Sequence, residues 1–183
     1  MASLIRYIDR FTELVGRTLA WLCLATMLVT VLVVLLRYLF QFGNMVAFQE
    51  AVIYLHATVF MLGLGWTFKR NGHVRVDVFY RKFSQRTKAW VNSLGILVFL
   101  LPFCVFLFFA SLDFVWLSWS IGETSNESGG LPIVYLLKSL IPLMCLLLAL
   151  QAIAEFLRNA CILCCKNEPH LTDSTGAEGN PRD

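Results

Sequence analysis

The sequence predicts an all-α membrane protein: four transmembrane helices with both termini cytoplasmic (N-in/C-in), and an amphipathic interfacial helix between helices 2 and 3. Three observations carry this. Apolar runs occupy Leu19 to Phe40, Ala51 to Phe68, Val91 to Leu112 and Pro132 to Ala154. Each holds at least about 18 largely apolar residues, enough to cross a hydrocarbon core of roughly 30 Å, and in lipid such segments satisfy their backbone as helices. The basic residues fall in alternate connections, and short segments rich in Lys and Arg stay cytoplasmic. The five tryptophans sit at the span ends, as an aromatic belt requires.

Met1 to Arg17 carries Arg6, Arg10 and Arg17, with Leu4, Ile5, Ile8, Phe11 and Leu14 at helical spacing. It is expected to form a short helix on the inner membrane surface. The first apolar run is longer than a signal-peptide core and ends in Arg37-Tyr38 rather than small residues, so it reads as a span. Trp21 marks its inner end. The connection from Gln41 to Gln49 has no Lys or Arg and is expected outside. Glu50 opens the second span at the level of Arg37, and an ion pair between the two is expected to fix the first hairpin. His56, inside that span, is expected to be a hydrogen-bonded packing residue. Trp66 marks the inner end.

Seven of the 15 Lys and Arg residues lie between the second and third spans: Lys69, Arg70, Arg75, Arg81, Lys82, Arg86 and Lys88. Asn71-Gly72 is a turn signal that ends the second span. Beyond it Val76, Phe79, Tyr80, Phe83, Thr87 and Trp90 recur at helical spacing, with basic residues on the other faces. That pattern predicts the interfacial helix over 77–89, braced on the inner leaflet by Arg81, Lys82 and Arg86 through membrane lipids. Trp90 opens the third span, and Trp116 and Trp119 mark its outer end. The loop expected from Asp113 to Leu131 again lacks basic residues and carries Glu123 and Glu127. Lys138 lies near the outer end of the fourth span, where its side chain snorkels to the headgroups. The membrane domain is expected over 1–158 and a disordered cytoplasmic tail over 159–183, which is polar and rich in Gly, Pro and Asp past Asn167.

The chemistry-bearing residues exclude several functions. No cysteine falls in an outer loop, so a thiol oxidase and structural disulfides are disfavoured. Cys161, Cys164 and Cys165 read as small apolar residues at a helix end rather than as a metal or palmitoylation site. One histidine within the spans does not make a bis-histidine haem site. Neither a nucleophile constellation nor a phosphate-cradling loop is present, so no catalytic residue, metal or cofactor is assigned. The net charge of +3 is accounted for by orientation, with no nucleic-acid partner.

The segment Gly72-His73-Val74-Arg75-Val76-Asp77 carries a recognisable signature. With Arg37-Tyr38-x-Phe40, Glu50, Phe60-x-x-Gly63, Gly129-Gly130-Leu131-Pro132 and Ile141-Pro142-Leu143, it resembles the small membrane subunit, the DctQ component, of tripartite ATP-independent periplasmic (TRAP) transporters. The order and placement of these features on the spans carry the resemblance. Two positions depart from the family pattern: Gln49 stands where a second acid is frequent, and Phe48 where a tryptophan is usual.

The resemblance implies a non-enzymatic role in the bacterial inner membrane. A periplasmic substrate-binding protein delivers an organic acid, and a large multi-helix transport subunit carries it with sodium. The small subunit scaffolds the large one and extends the docking surface. Arg37, Glu50, Gly63, Gly72, His73, Arg75 and Asp77 are then structural or interface candidates, and Glu123 and Glu127 are candidates for docking the binding protein. The substrate site is expected in the partner subunit. The alternative function is a membrane anchor for a quinone- or haem-linked redox enzyme.

Overall fold

The structure, a computed structural model, describes residues 2–39, 45–73, 80 and 83–164. It is all-helical among these residues, with four helices long and apolar enough to cross a membrane. Helix α1 runs Ala2–Leu39 and α2 runs Val46–Lys69. The third span is one rod made of α3 (Gln85–Gly95), a π-helical turn (Ile96–Leu100) and α4 (Leu101–Ile121). Helix α5 runs Val134–Cys164 and touches every other helix. The tightest core therefore lies along α5, where Gln151, Ala152 and Ala154 are fully buried. Helices α1 and α2 pack on each other and on α5, while α4 leans on α5 and presents most of its circumference outward.

Several boundaries differ from the hydropathy reading, each for a local reason. The N-terminal lead is not a separate surface helix; it is the first half of the 38-residue α1, roughly 57 Å long at 1.5 Å per residue. Ile8 and Thr12 are buried against the bundle, and side-chain bonds from Asp9 and Glu13 to α5 and to the end of α2 keep the lead in line. Asp113, Trp116 and Trp119 lie on helix rather than in a loop, since α4 continues to Ile121. Residues 159–164, expected to open the tail, are the last turns of α5, where Asn159 bonds the Glu155 carbonyl at 2.9 Å. The remainder of the tail, 165–183, lies outside the described residues.

An uninterrupted interfacial helix over 77–89 does not form. Ser84 is extended (φ −62°, ψ 158°), and its hydroxyl accepts from the Thr87 N–H at 3.2 Å, which caps α3 and starts a new helix. Residues 85–89 consequently belong to the third-span rod. Of the remainder, 77–79, 81 and 82 lie outside the described residues, while the Tyr80 hydroxyl donates to Asn92 on α3 at 3.1 Å.

The turn signals read from the sequence take a specific form. After α2, Asn71 adopts φ 54°, the Asn71 N–H bonds the Phe68 carbonyl, and the Gly72 N–H bonds the Thr67 carbonyl at 2.9 Å. That is a Schellman stop with asparagine as the left-handed residue. Gly122 ends α4 the same way at φ 57°, with the Glu123 N–H on the Ser118 carbonyl at 3.0 Å. The π turn precedes Pro102, which has no N–H to give the Val98 carbonyl and whose ring crowds it. A wider turn, with the Leu101 N–H on the Ile96 carbonyl, relieves that crowding.

Candidate functional site

The bundle's polar side chains gather at its two ends. At the basic end, where α1 begins and α2 and α5 finish, Asp9 lies at the centre of a network. Its carboxylate accepts from Arg158 at 2.7 Å and from the Gln151 amide at 3.3 Å. The Gln151 carbonyl in turn accepts from the Thr12 hydroxyl at 2.7 Å. One turn along α1, Glu13 accepts from Lys69 at 3.1 Å and Arg70 at 2.7 Å, and Lys69 also donates to the Asp9 carbonyl. Arg158 holds Glu155 as well, within α5. Asp9, Thr12 and Glu13 fall at helical spacing and face α2 and α5, so one polar stripe of α1 ties three helices together. Below it Gly16 lets the Trp66 indole lie flat against α1, since a Cβ there would sit 2.2 Å from the ring.

At the far end the organising group is Glu50, on the first turns of α2. One carboxylate oxygen accepts from the Leu131 N–H at 2.6 Å and the other from the Ser125 hydroxyl. Ser125 also accepts from the Glu127 N–H, and its own N–H bonds the Leu131 carbonyl at 3.1 Å. Glu50 thus closes the loop between α4 and α5 onto the mouth of α2. Gly130 is required there: a Cβ would meet the Ser125 hydroxyl at 2.4 Å and the Glu50 carboxylate at 2.7 Å. The loop's other end is fixed by Glu123, which accepts from Ser118 at 2.6 Å and pairs with Lys138. Lys138 lies 4.0 Å over the Phe114 ring, and Trp119 donates to Ser139 at 2.8 Å. The Lys138 ammonium, with help from Ser118, holds the Glu123 carboxyl below its ordinary value of 4.5.

The sequence-predicted residues therefore divide. The expected Arg37–Glu50 pair is not formed: Glu50 is occupied by the loop, and Arg37 is exposed with no ion pair among the described residues. Glu123 is engaged within the chain, whereas Glu127 is exposed. Gly63 is half-buried beside α1, where a notional Cβ would meet a Leu19 methyl at 4.0 Å, while Gly65 faces the Leu147 carbonyl at 3.4 Å and lets α2 approach α5. Gly72 closes the turn after α2, and His73 is exposed beside the Phe68 ring at 6.1 Å. Arg86 is exposed on the first turn of α3; Arg75, Asp77, Arg81 and Lys82 lie outside the described residues. His56 is not bonded inside the bundle as expected but exposed on α2. Of the tryptophans, Trp21, Trp90 and Trp116 point outward as a belt would, and Trp66 turns inward onto Gly16.

Sequence reasoning missed the basic-end network. Its one available signal was Gln151, an amide within an apolar run, which in lipid must find a partner on another helix. Beside the network, a recess of about 620 Å³ opens among Ser3, Arg6, Tyr7, Arg10 and Lys69. Among the described residues no group of three or more His, Cys, Asp or Glu side chains comes together as metal ligands would.

A family model described as "Tripartite ATP-independent periplasmic transporters, DctQ component" matches residues 26–162. No curated protein and no solved structure matches the chain.

Proposed function

The chain belongs to the DctQ-component family of the tripartite ATP-independent periplasmic transporters, a multi-pass membrane protein and small permease subunit, and from that premise we propose that it is the stationary scaffold of such a transporter. In this reading the basic end faces the cytoplasm of a bacterial inner membrane, with both termini inside, because the Lys- and Arg-rich segments gather there. A large multi-helix subunit carries an organic acid together with sodium. This chain holds that subunit in place and extends the surface on which the periplasmic substrate-binding protein lands. Arg81, Lys82 and Arg86 brace the scaffold against anionic headgroups of the inner leaflet.

The observation that carries this reading is where the polar side chains go. Asp9, Thr12, Glu13, Lys69, Gln151 and Arg158 tie α1, α2 and α5 together at one end. Glu50, Glu123 and Lys138 tie the loop and α4 to α2 and α5 at the other. A helix set cross-braced at both ends suits an element that stays still while another moves. Glu127, exposed on the loop that Glu50 holds, is the group offered to the binding protein.

The test is uptake by cells making the large subunit and binding protein with and without this chain. The scaffold reading expects uptake to be lost without it, although the large subunit still inserts, and restored on co-expression. Undiminished uptake without this chain would end the reading. Within the complex, Glu127→Lys is expected to slow uptake at limiting binding protein, and a normal dose response would remove the docking role.

A further inference from the structure

The recess beside the basic-end network continues along α1. Its walls include Arg6, Tyr7, Arg10 and Lys69, and a second depression of about 460 Å³ runs on between Tyr7, Arg10, Leu14 and Arg17. Arg10 is common to both. At 3.6 residues per turn Arg6, Arg10 and Arg17 fall within about 40° of one another around α1, so they form one basic stripe, and all three are exposed. Tyr7, Leu14 and Trp21 recur beside it at every seventh residue and are exposed too. The depth of the stripe follows from α2, whose 24 residues are roughly 36 Å long against a hydrocarbon core of roughly 30 Å. Lys69, the last residue of α2, bonds Glu13 and the Asp9 carbonyl, which sets Arg10 at headgroup level. Arg17, roughly 6 Å deeper than Glu13, reaches that level with its long side chain.

We propose that this groove on α1 binds an anionic glycerophospholipid of the inner leaflet, with its phosphate on Arg10 and Arg17 and an acyl chain along Leu14 and Trp21. The proposal takes from the reading above only the orientation that puts the basic end inside. A phosphate suits two guanidinium groups, whose planar forks donate in pairs to its oxygens. The Tyr7 hydroxyl adds a further donor beside them. Asp9 and Glu13 also line the recess, but both carboxylates are already engaged, Asp9 by Arg158 and Glu13 by Lys69 and Arg70. Arg10 and Arg17 make no ion pair among the described residues, so their charge is surplus.

The other cations of the described residues lack this combination. Arg70 and Arg158 are committed to carboxylates, and Lys88 lies 5.5 Å over the Tyr80 ring. Arg37 stands at the opposite end of α1, and Arg86 has no second arginine on α3. The apolar flank decides between a lipid and a soluble anion. Leu14 and Trp21 descend from the arginines towards the core, and the exposed Leu24 and Leu28 follow them. A water-soluble phosphate would leave that flank unused. A phospholipid presents charge and then chain in the same order as the groove does.

The experiment is native mass spectrometry of the full chain, in the form recovered from membranes, with phosphatidylglycerol or phosphatidylcholine added. Its outcome leaves the scaffold reading untouched, since that reading is decided by uptake. One phosphatidylglycerol is expected to be retained in preference to phosphatidylcholine. Arg10→Gln with Arg17→Gln is expected to weaken that retention roughly 25-fold, at about fivefold per arginine near a charged surface. Arg10→Lys with Arg17→Lys should keep much of it, and Arg37→Gln should leave it unchanged. Equal retention of the two lipids, or an undiminished preference in the double glutamine variant, overturns the proposal. Glycerophosphoglycerol carries the same phosphodiester without acyl chains and is expected not to compete. Displacement of the lipid by an equal concentration of it would assign the groove to a soluble phosphate and overturn the lipid.

Discussion

Replacing Glu50 should release the loop between α4 and α5 without unfolding the bundle. Its carboxylate accepts from the Leu131 N–H at 2.6 Å and from Ser125, and both donors lie in that loop. Hydrogen bonds to a charged acceptor are each worth about 1.5–3 kcal/mol. Glu50→Gln keeps one acceptor oxygen and turns its amide towards a donor, so it should cost one such bond. At about 1.4 kcal/mol per decade, that is a roughly tenfold to hundredfold rise in local opening. Glu50→Ala removes both acceptors and should cost more. The assay is amide hydrogen exchange in lipid discs, read at Leu131 and along the loop, where protection reports the free energy of local opening. The helices should keep their protection. Arg37→Gln serves as the control and should leave the loop unchanged, because Arg37 has no share in the clamp. Unaltered exchange at Leu131 in Glu50→Ala, or loop release in Arg37→Gln, would refute the reasoning.

Gly16→Val should force the Trp66 indole off α1, at about 1–3 kcal/mol for overpacking. Unfolding in mixed detergent measures that loss, and a wild-type midpoint would contradict the contact. A double-mutant cycle of Thr12→Val and Gln151→Leu should return a coupling of about 0.6–1.7 kcal/mol across α1 and α5, and strict additivity would count against the bond. Glu123 has a depressed pKa, so its contribution is present in full above the ordinary carboxylate value of 4.5 and is lost as pH falls through the lower folded value. Loop protection should therefore hold from pH 8 down to about 5 and fail in stronger acid, while Lys138→Met should weaken the share that Glu123 contributes, leaving its Ser118 bond; a loop that loosens near neutrality would point to another group. Changing Arg81, Lys82 and Arg86 together to Gln should weaken assembly on anionic membranes, at about 1 kcal/mol per charge, without preventing insertion. Normal assembly and uptake would dismiss the brace.

The four spans were legible because hydropathy over some twenty residues reports directly on what lipid demands. The helix ends were not, because side-chain bonds set them rather than hydropathy. Asp9 and Glu13 carry α1 well before Leu19, and Ser84 begins a helix ahead of Val91. The turn at Asn71-Gly72 was readable as local chemistry, though asparagine rather than glycine takes the positive φ. Glu50 was expected to pair with Arg37, and its donors lie elsewhere. Arg37 lay nearest in sequence, whereas the donors, Ser125 and Leu131, are 75 and 81 residues away, and a backbone amide leaves no mark in composition. His56 shows the same limit from the other side. Its position within a span was plain, but whether it faced inward or outward depended on how α1 and α5 divide the surface of α2.

The most direct test of the scaffold account is native mass spectrometry of the assembly carrying a tag on this chain, extracted in lipid discs. The account predicts one copy of this chain with one much larger multi-helix subunit. A chain recovered alone, or with a haem or a soluble dehydrogenase, would contradict it and favour the redox anchor.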